Sequence, residues 1–134
     1  MALNFKRLEE ITRSLKPIHQ TGKSFHATFV YNKNKLICTA HNNYNKLHPY
    51  HKFGEYGSTK ICNGNYIPGI HSEVAAIIKM GQEDCSNLTF INVRIDNNND
   101  VAISKPCPNC QNLLNEIGYR KIIYYNGSKY VRYK

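Results

Sequence analysis

Two short segments constrain this chain more than any other feature: His71-Ser72-Glu73 and Pro106-Cys107-Pro108-Asn109-Cys110. Each stands where a stretch of helical periodicity begins, after a strand or loop. Cysteines three apart on a first helical turn point the same way, so Cys107 and Cys110 can grip one ion. The positive end of that helix favours the thiolate forms needed as ligands. For His71 to add a third bond, the two helices must start close together.

Zinc accepts thiolate sulfur and imidazole nitrogen in a tetrahedron, and a catalytic site keeps one corner for water. Two thiolates cancel the charge of the ion, and the pKa of a water in the open corner falls to about 7 in well-tuned sites. Glu73, two residues from His71, is near enough to touch that water without binding metal, and a carboxylate there can take and return protons. A purely structural zinc would need a fourth protein ligand, yet His48, His51, Cys62 and Cys85 stand in no comparable motif. The two segments therefore predict one catalytic zinc ion on His71, Cys107 and Cys110, with Glu73 as the proton carrier.

Around these segments the periodicity alternates between helix and strand. Leu8, Ile11 and Leu15 recur at helical spacing over 3–16, and Pro17 stops the run. Residues 26–31 and 35–40 read as a hairpin around Asn32-Lys33-Asn34. From His41 to Gly69 the pattern breaks down, which predicts a long ordered loop carrying Tyr44, Tyr50, Tyr56 and Tyr66. Ser72–Met80 reads as a helix with Val74, Ile77 and Ile78 facing inward and Gly81 at its end. A strand follows over 88–95, then a short extended piece over 101–104. A helix over 107–117 would bury Leu113, Leu114 and Ile117. Strands over 121–125 and 129–133 are joined by a turn at Asn126-Gly127. The order predicts an α/β sheet with helices packed on it.

A chain of 134 residues that is 41% hydrophobic suits one domain over 1–134. No apolar run approaches the roughly 20 residues that span a bilayer, which argues against a membrane partner. The amphipathic N-terminus contains acids, unlike a secretory signal, and the cysteine count is odd at 5. Both features point to a reducing, cytoplasmic setting. The net charge of +9 favours contact with phosphates, on a nucleotide or along a nucleic acid, although a lysine-rich surface explains it equally well.

With these residues in view, the chain resembles the cytidine deaminase superfamily from about Phe25 to Tyr125, in particular deoxycytidylate-type and phage-like members. The resemblance implies a cytidine-deaminase-like fold of α/β/α layers: a mixed five-stranded sheet with helices packed on both faces. It gives His71, Cys107, Cys110 and Glu73 the ligand and proton-shuttle roles. Thr39-Ala40-His41-Asn42 matches the segment whose Asn often holds the sugar or base, so Asn42 is the expected substrate contact, with His41 beside it. The backbone around Ile103 and Ser104 resembles the segment that orients the amino group of the base. Two features pull apart. Histidine rather than cysteine at 71 resembles the nucleotide, base and nucleic-acid branches. A terminal antiparallel hairpin at Asn126-Gly127 does not, because nucleotide and tRNA deaminases typically run their last strands parallel. Relatives usually assemble, which implies a homo-oligomer.

The resulting expectation is zinc-dependent hydrolytic deamination of a small cytosine-containing nucleotide, deoxycytidylate or a close relative. One alternative is a deaminase acting on polynucleotide, adenosine in tRNA or cytidine in single-stranded DNA, with the loop tyrosines and the basic segment 120–134 against the strand. Another is a non-catalytic zinc-stabilised nucleic-acid-binding module, against which Glu73 argues. A second zinc on His48 and His51 with Cys62 or Cys85 is less favoured than an ordinary polar loop. Cys38, within a strand, reads as a small buried hydrophobe.

Overall fold

The computed structural model describes residues 3–16, 25–42, 72–81, 86–106, 110–111, 114–115, 118–119 and 121–133. They form helices α1 (Phe5–Leu15) and α2 (Ser72–Met80), and strands β1 (Phe25–Asn32), β2 (Lys35–His41), β3 (Leu88–Ile95), β4 (Val101–Ala102), β5 (Lys121–Tyr125) and β6 (Tyr130–Tyr133). Residues 110, 111, 114 and 115 are helical too, inside the helix expected over 107–117. The expected loop from 43 onward, with its tyrosines and the suggested second zinc, lies outside the described residues, as do Pro17, Leu113 and Ile117. No described helix is long and apolar enough to cross a membrane.

The sheet is mixed, in the order β2-β1-β3-β5-β6, with β4 beside β3. β1 pairs antiparallel with β2 and β3, β3 parallel with β5, and β5 antiparallel with β6. A parallel pair needs a crossover, and the helical residues 110, 111, 114 and 115 lie within the one joining β3 to β5. The terminal hairpin turns at Gly127, whose φ of 106° suits glycine. Asn126 braces that turn, its Oδ1 accepting from the backbone N–H groups of Ser128 and Lys129 at 2.9 and 3.0 Å.

Period-two alternation divides the apolar residues between two faces. Ala27, Phe29, Ile91, Val93, Ile95 and Ile123 cluster with Leu8 of α1. Val30, Phe90 and Ile122 cluster with Val74, Ala76 and Ile77 of α2 and with Cys110 and Leu114. Helices thus cover both faces, as the α/β/α layering requires. One inward residue is corrected: Ile78 is 39% exposed. The buried stripe of α2 runs through Ser72, Glu73, Val74, Ala76 and Ile77. Turning two polar residues toward the sheet rotates the helix about its axis and brings Ile78 out.

Helix α1 is fixed at both ends. Asn4 Oδ1 accepts from Arg7 N at 3.1 Å as an N-cap. At the other end Arg13 Nε donates to Asn99 O at 2.9 Å and Lys16 Nζ to Asp96 O at 3.2 Å, tying the helix to the β3–β4 turn. Tyr130 of β6 stacks on Phe5, centroids 4.3 Å apart, and its hydroxyl donates to Glu9 Oε2 at 3.0 Å.

Burial, reinforced by that hydrogen bond and the Glu9 charge, pushes the Tyr130 phenol well above its usual range. The folded state therefore favours the neutral phenol. Its contribution is complete below the ordinary tyrosine pKa of about 10 and is lost as pH rises beyond it. Tyr130→Phe should cost about 1 kcal/mol at neutral pH. It should also flatten the fall in melting temperature between pH 9 and 11 relative to the unmodified protein. Parallel melting curves for the two proteins across that range would contradict this.

Candidate active site

Glu73 lies in the first turn of α2 and is buried at 6% exposure. A carboxylate is favoured at a helix N-terminus, but burying one is costly unless donors meet it. Donors are present on both oxygens. Ser72 Oγ donates to Oε1 at 3.1 Å, and Asn92 Nδ2 donates to Oε2 at 3.0 Å.

Those two partners are joined through a third side chain. Thr28 Oγ1 lies 2.8 Å from Ser72 Oγ and 2.9 Å from Asn92 Oδ1, closing a ring of Glu73, Ser72, Thr28 and Asn92. Thr28 and Asn92 face each other across the β1–β3 register, and Ser72, Thr28 and Asn92 are all buried. Two hydroxyl protons serve the three oxygen–oxygen contacts of this ring while the carboxyl group is ionised.

The stretch that precedes the second segment reaches the same ring from the far edge of β3. That edge is shared: β5 pairs with it at 89–91 and β4 at 94–95. Ser104 fills the gap between them. Its Oγ donates to Asn92 O at 2.8 Å and accepts from Tyr125 N at 2.9 Å, while its own N–H donates to Tyr125 O at 3.0 Å. Asn92 Nδ2 also donates to Ser104 O, at a longer 3.4 Å. The chain then runs through the exposed Lys105 and the buried Pro106 toward the cysteines. Cys110 is 1% exposed, carries a thiol rather than a disulfide, and packs in the cluster that includes Ala76 of α2. His71 and Cys107 lie outside the described residues.

The expected substrate residues fall on one line across the sheet. Asn42 N donates to His26 O at 3.1 Å. His26 pairs with Arg94, and Arg94 with Ala102, immediately before Ile103. Asn42 is buried, and its Oδ1 accepts from His26 N at 3.1 Å, so one end of the carboxamide is held by backbone. His41 is exposed, with Nδ1 2.9 Å from Asn42 O and its ring against Phe25 at 5.3 Å. Ile103 is 54% exposed, and its carbonyl accepts from Arg94 Nη1 at 3.4 Å.

Two members of this arrangement, Thr28 and Asn92, escaped the motif reading, and Ser72 stood in it without a role. The signal was present in the alternation: Thr28 and Asn92 interrupt the apolar runs of β1 and β3 on the face that carries Val30 and Phe90. A polar residue on the inward face of such a run asks for a partner.

Residues 7–126 match the family model described as the cytidine and deoxycytidylate deaminase zinc-binding region. No curated protein and no solved structure matches the chain at a significant level. The family match covers most of the 134 residues, and the chain belongs to the cytidine and deoxycytidylate deaminase family. An imidazole and two thiolates are a donor set that suits the metal in the family's description.

Replacing Ser104 by Ala withdraws a buried donor from Asn92 O and a buried acceptor from Tyr125 N. Ser104→Ala should lower unfolding free energy by about 1–3 kcal/mol in urea titration. A loss below a few tenths would show that the junction between β3, β4 and β5 does not depend on this hydroxyl.

Proposed function

We propose that this family member hydrolyses the exocyclic amino group of a cytosine-containing nucleotide, deoxycytidylate or a close relative, giving the uracil form and ammonia. The observation that carries the reading is Glu73: a buried carboxylate at the start of α2, held through both oxygens, two residues beyond His71. A group anchored only for stability has no need of a charge in that position, and a carboxylate fixed in orientation is what acid–base catalysis uses.

His71, Cys107 and Cys110 would hold zinc, which when bound supplies a water acidified to about pKa 7 in well-tuned sites. The chain's own residues do the rest. Glu73 takes a proton from the attacking water on one carboxylate oxygen and passes it to the ring nitrogen, then takes the remaining proton of the added hydroxyl and gives it to the departing amine as the carbonyl forms. Asn42 supplies its carboxamide N–H groups to sugar or base, with Oδ1 kept on His26 N. The backbone at Ile103 and Ser104, anchored to β3, offers a fixed carbonyl edge to the amino group. Exposed Lys105 and the half-buried Arg94 nearby supply positive charge for a phosphate.

A second reading, action on a polynucleotide, is favoured by the net charge of +9 and by exposed Lys129 and Arg132 on the edge hairpin. Ammonia release from a panel of cytosine, adenine and guanine compounds, with single-stranded DNA and tRNA alongside, separates the two. We expect turnover of a cytosine mononucleotide with weak dependence on salt. Silence on every monomer, with salt-sensitive activity on a strand, would replace this reading by the second. Glu73→Ala should retain a full complement of zinc by metal analysis and lose turnover by at least about a hundredfold. A variant turning over near the normal rate would remove Glu73 from the proton path.

A further inference from the structure

Asn92 hydrogen-bonds to both halves of the site, and none of its side-chain polar atoms is idle. Its Oδ1 lies 2.9 Å from the Thr28 hydroxyl, which fixes the orientation of the carboxamide. Nδ2 then faces two acceptors, Glu73 Oε2 at 3.0 Å and Ser104 O at 3.4 Å. The backbone carbonyl of the same residue accepts from Ser104 Oγ at 2.8 Å. One strand residue therefore touches the helix that follows His71 and the segment that leads to Cys107. At 3% exposure it does so away from water, where a hydrogen bond is electrostatically stronger and an unmatched one more costly.

We propose that Asn92 is a positioning residue: it holds the Glu73 carboxylate at a fixed orientation and distance from the Ser104 segment, acting on the reaction only through Glu73. This rests on the deaminase reading above. The residue type follows from the geometry. Only a side chain with a donor pair on one end and an acceptor on the other satisfies Glu73, Ser104 and Thr28 together. Aspartate, of the same size, would set an acceptor against two acceptors and a second negative charge beside Glu73. Leucine would keep the volume and offer no donor.

The test has two arms. With the zinc-loaded full chain, Asn92→Asp and Asn92→Leu should keep zinc and hold KM within about threefold. Their kcat should fall by about 10–100-fold, the loss expected when a partner that orients a reacting group is removed. Adding Asn92→Leu to Glu73→Ala should lower the residual rate no further. A folded variant with kcat within twofold of normal, or a loss carried by KM alone, would overturn the proposal. The second arm does not need activity. In a 15N–1H spectrum, the Asn92 side-chain amide protons should exchange with solvent far more slowly than those of exposed Asn97, and Glu73→Ala should lower that protection. Unchanged protection in Glu73→Ala would overturn the contact. Should Glu73→Ala not fold, a shift of the Asn92 amide resonance in Glu73→Gln reads the same contact, and no shift overturns it. An unmodified protein that releases no ammonia from any substrate would count against the deaminase reading while leaving this contact to be decided by the spectrum.

Discussion

A carboxylate removed from water has to be met by donors, and the arrangement that meets Glu73 organises the middle of this molecule. Glu73 is buried between α2 and the sheet with both oxygens engaged. To bring it there, α2 turns Ser72 and Glu73 toward the strands and leaves Ile78 outside, against the preference of its apolar residues. The strands answer with Thr28 and Asn92, directly opposed across β1 and β3. Each group answers another, so helix rotation and strand register are fixed by one set of contacts.

The second organising feature is the divided edge of β3. A strand that carried β5 along its whole length would leave no room for the segment that leads into the cysteines. Here β5 occupies residues 89–91, β4 takes 94–95, and Asn92 falls at the fork. Ser104 closes it by standing in for ladder hydrogen bonds, one to β3 and two to the end of β5. The chain enters the Pro106–Cys110 stretch from a point tied on both sides, and Cys110 ends buried in the cluster shared with α2. Glu73 and the Ser104 segment that leads toward the cysteines are thus joined through Asn92 by strand pairing, although they are far apart in sequence.

Much of this was legible in the residues, and what was not has a physical cause. β3 and β5 are found at the predicted limits, because runs such as Leu-Thr-Phe-Ile-Asn-Val-Arg-Ile are bounded by turn residues at both ends. The hairpin at Asn32-Lys33-Asn34 and the α2 limits follow from equally local signals. Glu73 was legible as a candidate proton carrier through its spacing from His71, and the structure adds its burial and its two hydrogen bonds. Asn92 and Thr28 were not, since their meaning lies in the β1–β3 register, a long-range pairing that local patterning does not set. Ile78 was misjudged for a related reason: apolar periodicity locates the buried face of a helix only when that face holds no polar residues. Asn42, expected from its motif as a substrate contact, is found accepting a hydrogen bond from His26 N, which the motif does not reveal.

The ring also says something about what its position in the fold is for. Valine at 28 and leucine at 92 would pack between α2 and the sheet with no polar groups to satisfy, and exchanging buried polar networks for apolar packing is often neutral or stabilising. Partial exchange is the damaging case, because it leaves a buried group without its match. A chain selected only for stability would therefore drift toward the fully apolar version. Retaining four mutually dependent polar side chains in the buried layer between α2 and the sheet is a cost that local stability does not recover. What the ring yields instead is direction: a carboxylate whose two oxygens cannot turn independently of β1 and β3. Such a fixed orientation matters little to folding and a great deal to proton transfer, which depends steeply on the distance and angle between donor and acceptor.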